Sequence, residues 1–266
     1  LVHGFDYTGF MNGSDLERSQ LIVGCVNFLS DTQKTKQKEH FIKEALLLRQ
    51  ALSLCRSIVP QDDRYEAAFF EAVRTMLTRI TGNTKQFSLK EINERINELL
   101  KQSINSEGVI NLFSDVQKEF SLFDPKFLDE ITKMKEKNIA IEILKKLLAE
   151  QVSVYRRTNV VKSERFSEKL QRAMNAYLNG MLTNEEVIEE LKKIAQEITA
   201  NAQASSELGL TADELAFYDA LTKPQAVKDF YNNDQLVAIT KELTEMLRAN
   251  KTVDWQKKET ARAKMR

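Results

Sequence analysis

A chain of 266 residues that is 42% hydrophobic and 29% charged can bury a sizeable core, which excludes a disordered tail. Lys plus Arg and Asp plus Glu stand at 39 each, so no global surplus of charge marks it for nucleic acid, an anionic membrane or a basic partner, and electrostatic binding has to be local. With 8 glycines and 3 prolines there is too little turn chemistry for a sheet-rich fold, and the Leu, Lys, Glu, Ala and Gln that dominate instead predict an all-α, irregular multi-helix bundle.

The opening Leu1-Val2-His3-Gly4 shows neither an initiator Met nor a charged-then-apolar signal pattern, and reads as the interior of a longer protein. Residues Leu1 to Gly13, rich in glycine and aromatics, are expected to form loops or short elements. The longest apolar stretch, Leu21 to Leu29, is broken by Asn27 and falls short of the roughly 20 residues of a membrane span, so no membrane is expected as a partner. Phe41, Leu48 and Leu52 stripe a helix over Lys38–Arg56, with His40 on its flank. A second helix, Tyr65–Ile80, carries Ala68, Phe69, Val73 and Leu77, with Asp62 ahead of it and Gly82-Asn83 behind. Ser88 with Glu91 then makes a capping box for a helix bearing Ile92, Ile96, Leu99 and Leu100.

Gly108 to Pro125 reads as loops or short elements, after which Ile139, Ile143, Leu144, Leu147 and Leu148 mark a core helix. Burying each such Leu or Ile contributes on the order of 1.5 to 3 kcal/mol against the entropy of ordering the chain. Thr183 with Glu186 and Thr211 with Glu214 repeat the capping device. A long helix from Asn184 to about Ala204 runs into Ser205-Ser206-Glu207-Leu208-Gly209, a stop and candidate hinge. It divides a main helical domain, 1–204, from a smaller C-terminal cluster, 205–266. The end reads as a helix capped at Asp254, with Trp255 as a packing anchor.

Candidate chemistry is sparse. Cys25 and Cys55 both sit in apolar helical patterns as buried thiols, which predicts a cytoplasmic protein without disulfides. No glycine-rich loop ends in Gly-Lys-Ser/Thr, so no ATP site is read here. Metal-dependent DNA cleavage needs carboxylates and a lysine converging from adjoining strands, whereas Glu190-Leu191-Lys192 falls inside a helix that turns its ends apart. His3 and His40 match no zinc spacing and leave a Ser or Cys nucleophile without a base. No catalytic, cofactor-binding or metal residue is therefore assigned.

Local charge remains. Arg156, Arg157, Lys162 and Arg165 fall within eleven residues between Tyr155 and Phe166. A DNA phosphate or acidic-partner contact competes there with a solvated face or ion pairs to Glu150, Glu164 and Glu168. Lys257, Lys258, Arg262, Lys264 and Arg266 form a second basic segment facing only Glu259.

The stretch Glu207 to Leu221 (ELGLTADELAFYDAL), Asn250 to Trp255 (NKTVDW) and Ala261 to Arg266 (ARAKMR) resemble the C-terminal helical region of type I restriction enzyme R subunits. Lys137 to Leu148, Arg157-Thr-Asn-Val-Val161, Ser163 to Leu170, and His3-Gly-Phe-Asp-Tyr7 with Gly13 extend the likeness over nearly the whole chain. The family usually continues past the position of Arg266, a departure that bears on docking strength. The resemblance implies a parent polypeptide with a nuclease domain and two RecA-like motor domains that use ATP and Mg²⁺ upstream. For this region it implies docking of the motor onto the methyltransferase (M) and specificity (S) subunits. A non-catalytic assembly and coupling module is thus the expected function; the alternative is a sequence-independent surface that contacts or guides duplex DNA.

Overall fold

Apolar residues three and four positions apart collect on one side of a helix, and such stripes become the buried faces of several of the ten α-helices among the described residues. The computed structural model describes residues 2–55, 58–82, 89–103, 125–223 and 230–250. In chain order the helices are α1 (Asp15–Leu29), α2 (Thr35–Cys55), α3 (Gln61–Thr81), α4 (Leu89–Ser103), α5 (Pro125–Lys133), α6 (Lys137–Thr158), α7 (Val160–Leu178), α8 (Asn184–Glu207), α9 (Ala212–Thr222) and α10 (Asn233–Asn250). The described residues hold no β-strand beyond an isolated bridge between Val2 and Phe5, so the class is all-α as expected. The Ser88 cap, Asn83, residues 108–124 of the expected loops or short elements and the expected helix from Val253 onward lie outside the described residues, while Pro125 is the first residue of α5.

Contacts divide the chain into two compact units, Leu1–Leu147 with Ala173–Lys193, and Leu148–Arg172 with Ile194–Arg266. Each of α6, α7 and α8 contributes to both, a partition of a different kind from a cut at one chain position.

In the first unit α3 packs against α1, α2 and α4. Phe69, Ala72, Val73, Met76, Leu77 and Ile80 are completely enclosed along it. Aromatics of the N-terminal segment close over this core. Tyr7 stacks on Phe69 with ring centroids 4.8 Å apart, Phe10 lies 5.0 Å from the same ring, and the Tyr7 hydroxyl donates to Glu66 at 2.6 Å. Burial and then the Glu66 carboxylate push the Tyr7 hydroxyl up to about 12. Gly24 serves the same packing, because a Cβ there would stand 3.3 Å from Phe5 Cζ. The space it leaves offsets the roughly 1 kcal/mol that glycine costs inside a helix.

Helix ends follow from local chemistry. Thr183–Glu186 and Thr211–Glu214 form the expected reciprocal capping boxes, and Ser14–Glu17 makes another at the start of α1. Backbone N–H groups at Thr183 and Thr211 hold the Glu186 and Glu214 carboxyls below their ordinary pKa. Gly180, at φ +70°, and Gly209, at φ +60°, supply the left-handed residues that follow α7 and α8.

Three local expectations need correction. Helix α3 starts at Gln61 after Pro60, which places Asp62 inside the first turn, where its charge faces the positive helix end, and not ahead of the helix. Of the α2 stripe only Phe41 is buried, with Leu48 and Leu52 half-covered, because an open groove runs along that face. Cys25 is buried and its thiol is pushed by burial up to about 12, but Cys55 sits half-exposed at the last residue of α2.

Asn27, which interrupts the apolar run of α1, has a structural task. Its Oδ1 accepts from the backbone N–H groups of Asn138 at 3.1 Å and Ile139 at 3.4 Å, capping α6 from another helix. Asn138 Nδ2 returns a bond to the Asn27 carbonyl at 3.1 Å, Asn184 Nδ2 donates to Asn138 Oδ1 at 3.2 Å, and the Tyr177 hydroxyl donates to Asn184 Oδ1 at 2.7 Å. Nearby, the buried Glu142 is shared by Lys38 and Lys145, both at 3.5 Å.

We predict that Asn27→Ala lowers stability by about 1–3 kcal/mol in urea unfolding, because it strands two N–H donors; a change below about 0.5 kcal/mol would contradict the capping role. Ellman's reagent should titrate Cys55 in the native chain and Cys25 only after unfolding. Equal rates for the two thiols would contradict their placement.

Candidate interaction surface

Helix α6 ends and α7 begins at Asn159, a residue whose short amide suits an N-cap. Its Oδ1 accepts from the Lys162 N–H at 3.0 Å and its carbonyl from the Ser163 N–H at 3.0 Å, so the chain turns and restarts as helix within one residue. Asn159 Nδ2 donates to Asp219 Oδ2 on α9 at 2.5 Å, and Lys162 Nζ reaches the same oxygen at 3.6 Å. Asn159 and Lys162 are both buried and the Asp219 side chain is 21% exposed, so the pair is largely withdrawn from solvent.

This geometry sorts the basic segment. Lys162 is spent inside the second unit, with its ammonium also 6.0 Å from the Tyr155 ring centroid. Arg165 is half-exposed but lies 3.5 Å from Glu197, a carboxylate that Lys169 grips at 2.5 Å. Tyr155 and Phe166 stack on one another at 5.9 Å, with Phe166 fully buried, and so form packing rather than a platform for a ligand. Arg156 and Arg157, in the last turn of α6, are exposed and have no ion-pair partner among the described residues. Lys257, Lys258, Arg262 and Lys264 lie outside the described residues. The carboxylates that meet these cations, Asp219 and Glu197, are distant in sequence, whereas Glu164 pairs with Lys223 at 2.7 Å. Sequence reasoning missed Asp219 as the hub; the readable signal was an N-cap Asn between two helical stretches.

Helices α9 and α10 pack on each other. The Tyr218 hydroxyl donates to Asn233 Oδ1 at 2.6 Å, and the buried Thr240 and Thr244 hydroxyls donate back to Leu236 and Thr240 carbonyls.

Glu190 pairs with Lys193 at 2.7 Å and Lys192 with Asp129 at 2.9 Å, both as helix-surface ion pairs. His3 and His40 meet edge to face at 5.7 Å, and His40 lies 3.9 Å from Glu44. Among the described residues no group of three or more His, Cys, Asp or Glu is arranged to hold a metal ion, and no helix is long and apolar enough to cross a membrane. A Cβ added at Gly9 would stand 3.6 Å from Leu21 Cδ1, and one at Gly13 would meet the Gly9 carbonyl at 2.7 Å, so Gly13 sits in close packing.

The family model described as type I restriction enzyme HindI endonuclease subunit-like, C-terminal, matches residues 1–266. The chain belongs to this family. It is 36% identical over 239 residues to the type I restriction enzyme HindI endonuclease subunit of Haemophilus influenzae, covering 86% of this chain and 22% of that protein. It is 29% identical over 269 residues to the putative type I restriction enzyme MjaIXP endonuclease subunit of Methanocaldococcus jannaschii, covering 98% of this chain and 25% of that protein. The chain therefore spans about a quarter or less of the length of these curated relatives. No solved structure matches it. As the C-terminal part of a type I restriction endonuclease subunit, the chain places two of the stretches that carried the resemblance, Arg157–Val161 and Glu207–Leu221, in contact through Asn159 and Asp219.

Asp219→Ala should remove an ion pair of the buried Lys162 and the bond from the buried Asn159 amide and cost about 1–3 kcal/mol in urea unfolding. Asp219→Asn combined with Lys162→Met should recover most of that loss. Wild-type stability of Asp219→Ala would show that the pair is solvated and incidental.

Proposed function

We propose that this chain is a non-catalytic assembly and coupling region of a type I restriction endonuclease subunit, which docks the motor part of that subunit onto the methyltransferase core of M and S subunits. The supporting observation is the use to which buried and half-buried polar residues are put. Asn159, Lys162, Asp219 and the Asn27–Asn138–Asn184 relay all make helix-to-helix bonds within their own units, the work of a scaffold. In this reading ATP and Mg²⁺ act in the upstream motor and nuclease parts, and the partners are the core subunits and those upstream domains. Arg156 and Arg157 are the exposed cations available for a partner contact at the end of α6.

A second reading assigns the same arginines, with the segment from Lys257 to Lys264, to sequence-independent contact with duplex DNA. The exposure of Arg156 and Arg157, which have no ion-pair partner among the described residues, favours it equally.

Size-exclusion chromatography with light scattering, of the chain mixed with cognate M and S subunits, tests the first reading. Co-elution at moderate salt is expected, and Arg156→Glu with Arg157→Glu should weaken it on the order of tenfold or more without lowering the melting temperature. A folded chain that never co-elutes with the core would remove docking from this region. Full core binding by the double variant would remove these arginines from the contact.

A further inference from the structure

Helix α3 has two faces of opposite character. One is the enclosed core around Phe69 and Met76; the other carries Arg64, Glu71, Arg74 and Thr78 at helical spacing, into a groove of about 600 Å³ whose walls are α2 and α4. Ala45, Ala67 and Ala68 line this groove as its small residues. Arg49 on α2 and Arg95 on α4 add to Arg64, Arg74 and Arg79, so among the described residues five arginines stand against two glutamates, Glu71 and Glu98. That is a local imbalance in a chain whose charges are equal overall.

Each arginine is held differently. Arg74 is fixed against Glu71 by two bonds of 2.9 and 3.0 Å, with its side chain only 12% exposed. Arg49 approaches the same carboxylate at 3.5 Å but remains 61% exposed, and Arg95 is 64% exposed with Glu98 at 4.0 Å. Arg64 donates Nε to the Val59 carbonyl at 2.8 Å, which orients the rest of its guanidinium. Neither Arg64 nor Arg79 has an ion-pair carboxylate among the described residues. The groove thus presents a partly preorganised row of guanidinium forks.

We infer that this groove between α2 and α4 binds the phosphodiester backbone of nucleic acid. All five cations are Arg, whose planar fork matches phosphate in a way that the Lys point charge does not. Arg64 to Arg79 extends about 22 Å along α3 at about 1.5 Å per residue, a length suited to a repeating anion and excessive for a single phosphate. No aromatic side chain lines the groove among the described residues, which offer bases no stacking platform, and recognition is of the backbone without regard to sequence. The site uses residues other than Arg156 and Arg157 and does not depend on the docking reading.

Fluorescence anisotropy of the chain with labelled random-sequence duplex and single-stranded DNA, over a range of salt, tests the site. Binding at low salt is expected to weaken as salt rises. Arg49→Ala, Arg79→Ala and Arg95→Ala together should reduce affinity on the order of tenfold or more and flatten the log-log salt slope by about 0.9 for each duplex phosphate no longer neutralised. The corresponding Lys variants should restore only part of the affinity. Preference for duplex or for single strand tells which form supplies the phosphates, and either supports the site. Should the triple variant lose its helical circular dichroism, Arg49→Glu with Arg95→Glu, at the two most exposed positions, should still abolish binding in a folded chain. Unchanged affinity in folded variants overturns the inference, as does equal competition by polyglutamate of matched charge. Loss of co-elution with the M and S subunits alongside intact DNA binding also overturns it, since the groove would then serve the core. Failure of the parent chain to co-elute, with DNA binding present and arginine-dependent, sinks only the docking reading.

Discussion

Asn27 caps a helix that begins more than a hundred residues later in the chain, and the packing of the first unit depends on that bond. The first turn of α6 brings N–H groups without an intrahelical acceptor next to Ile139 and Ala140, both completely buried. A side-chain carbonyl from α1 satisfies two of them. Asn138 and Asn184 pass the linkage on to α8 and, through Tyr177, to the last turn of α7. Apolar burial draws the helices together without regard to register, whereas this relay requires particular atoms to meet.

The second unit uses the same economy with charge. Asp219 on α9 takes the Asn159 amide and the Lys162 ammonium, and Lys162 is covered too thoroughly to serve a partner. A largely buried pair of this kind adds little net stability compared with apolar packing. Its contribution is to specify which helices meet, and it joins two stretches that identify the family. Residues that mark membership of the endonuclease-subunit family are in this case residues that maintain the fold.

Charge that remains available is found where polar side chains are exposed or face an open groove: Arg156 and Arg157 at the end of α6, and the arginines over α3. Neither set follows from net charge, which is zero. The groove exists because α3 turns small and polar residues outward beside α2, whose own stripe is only partly covered. An exposed cation attracts a phosphate through screened water, so several acting together are needed for useful affinity.

Much of this was legible from local chemistry. Helical periodicity identified the stripes on α3, α4 and α6, and the Thr183 and Thr211 caps were readable because a capping box is complete within four residues. Scarce glycine and proline argued against a sheet, and motifs spread from His3 to Arg266 carried the resemblance to the family. What the tertiary structure alone decided were the pairings across distance: Asn27 with α6, Asp219 with Lys162, Glu197 with Arg165 and Lys169, and the arginines of three helices around one groove. Sequence spacing states which residues share a helix face. Which face meets which depends on the summed packing of all the helices, and that sum determines whether a given Lys or Arg ends as internal glue or as an exposed charge.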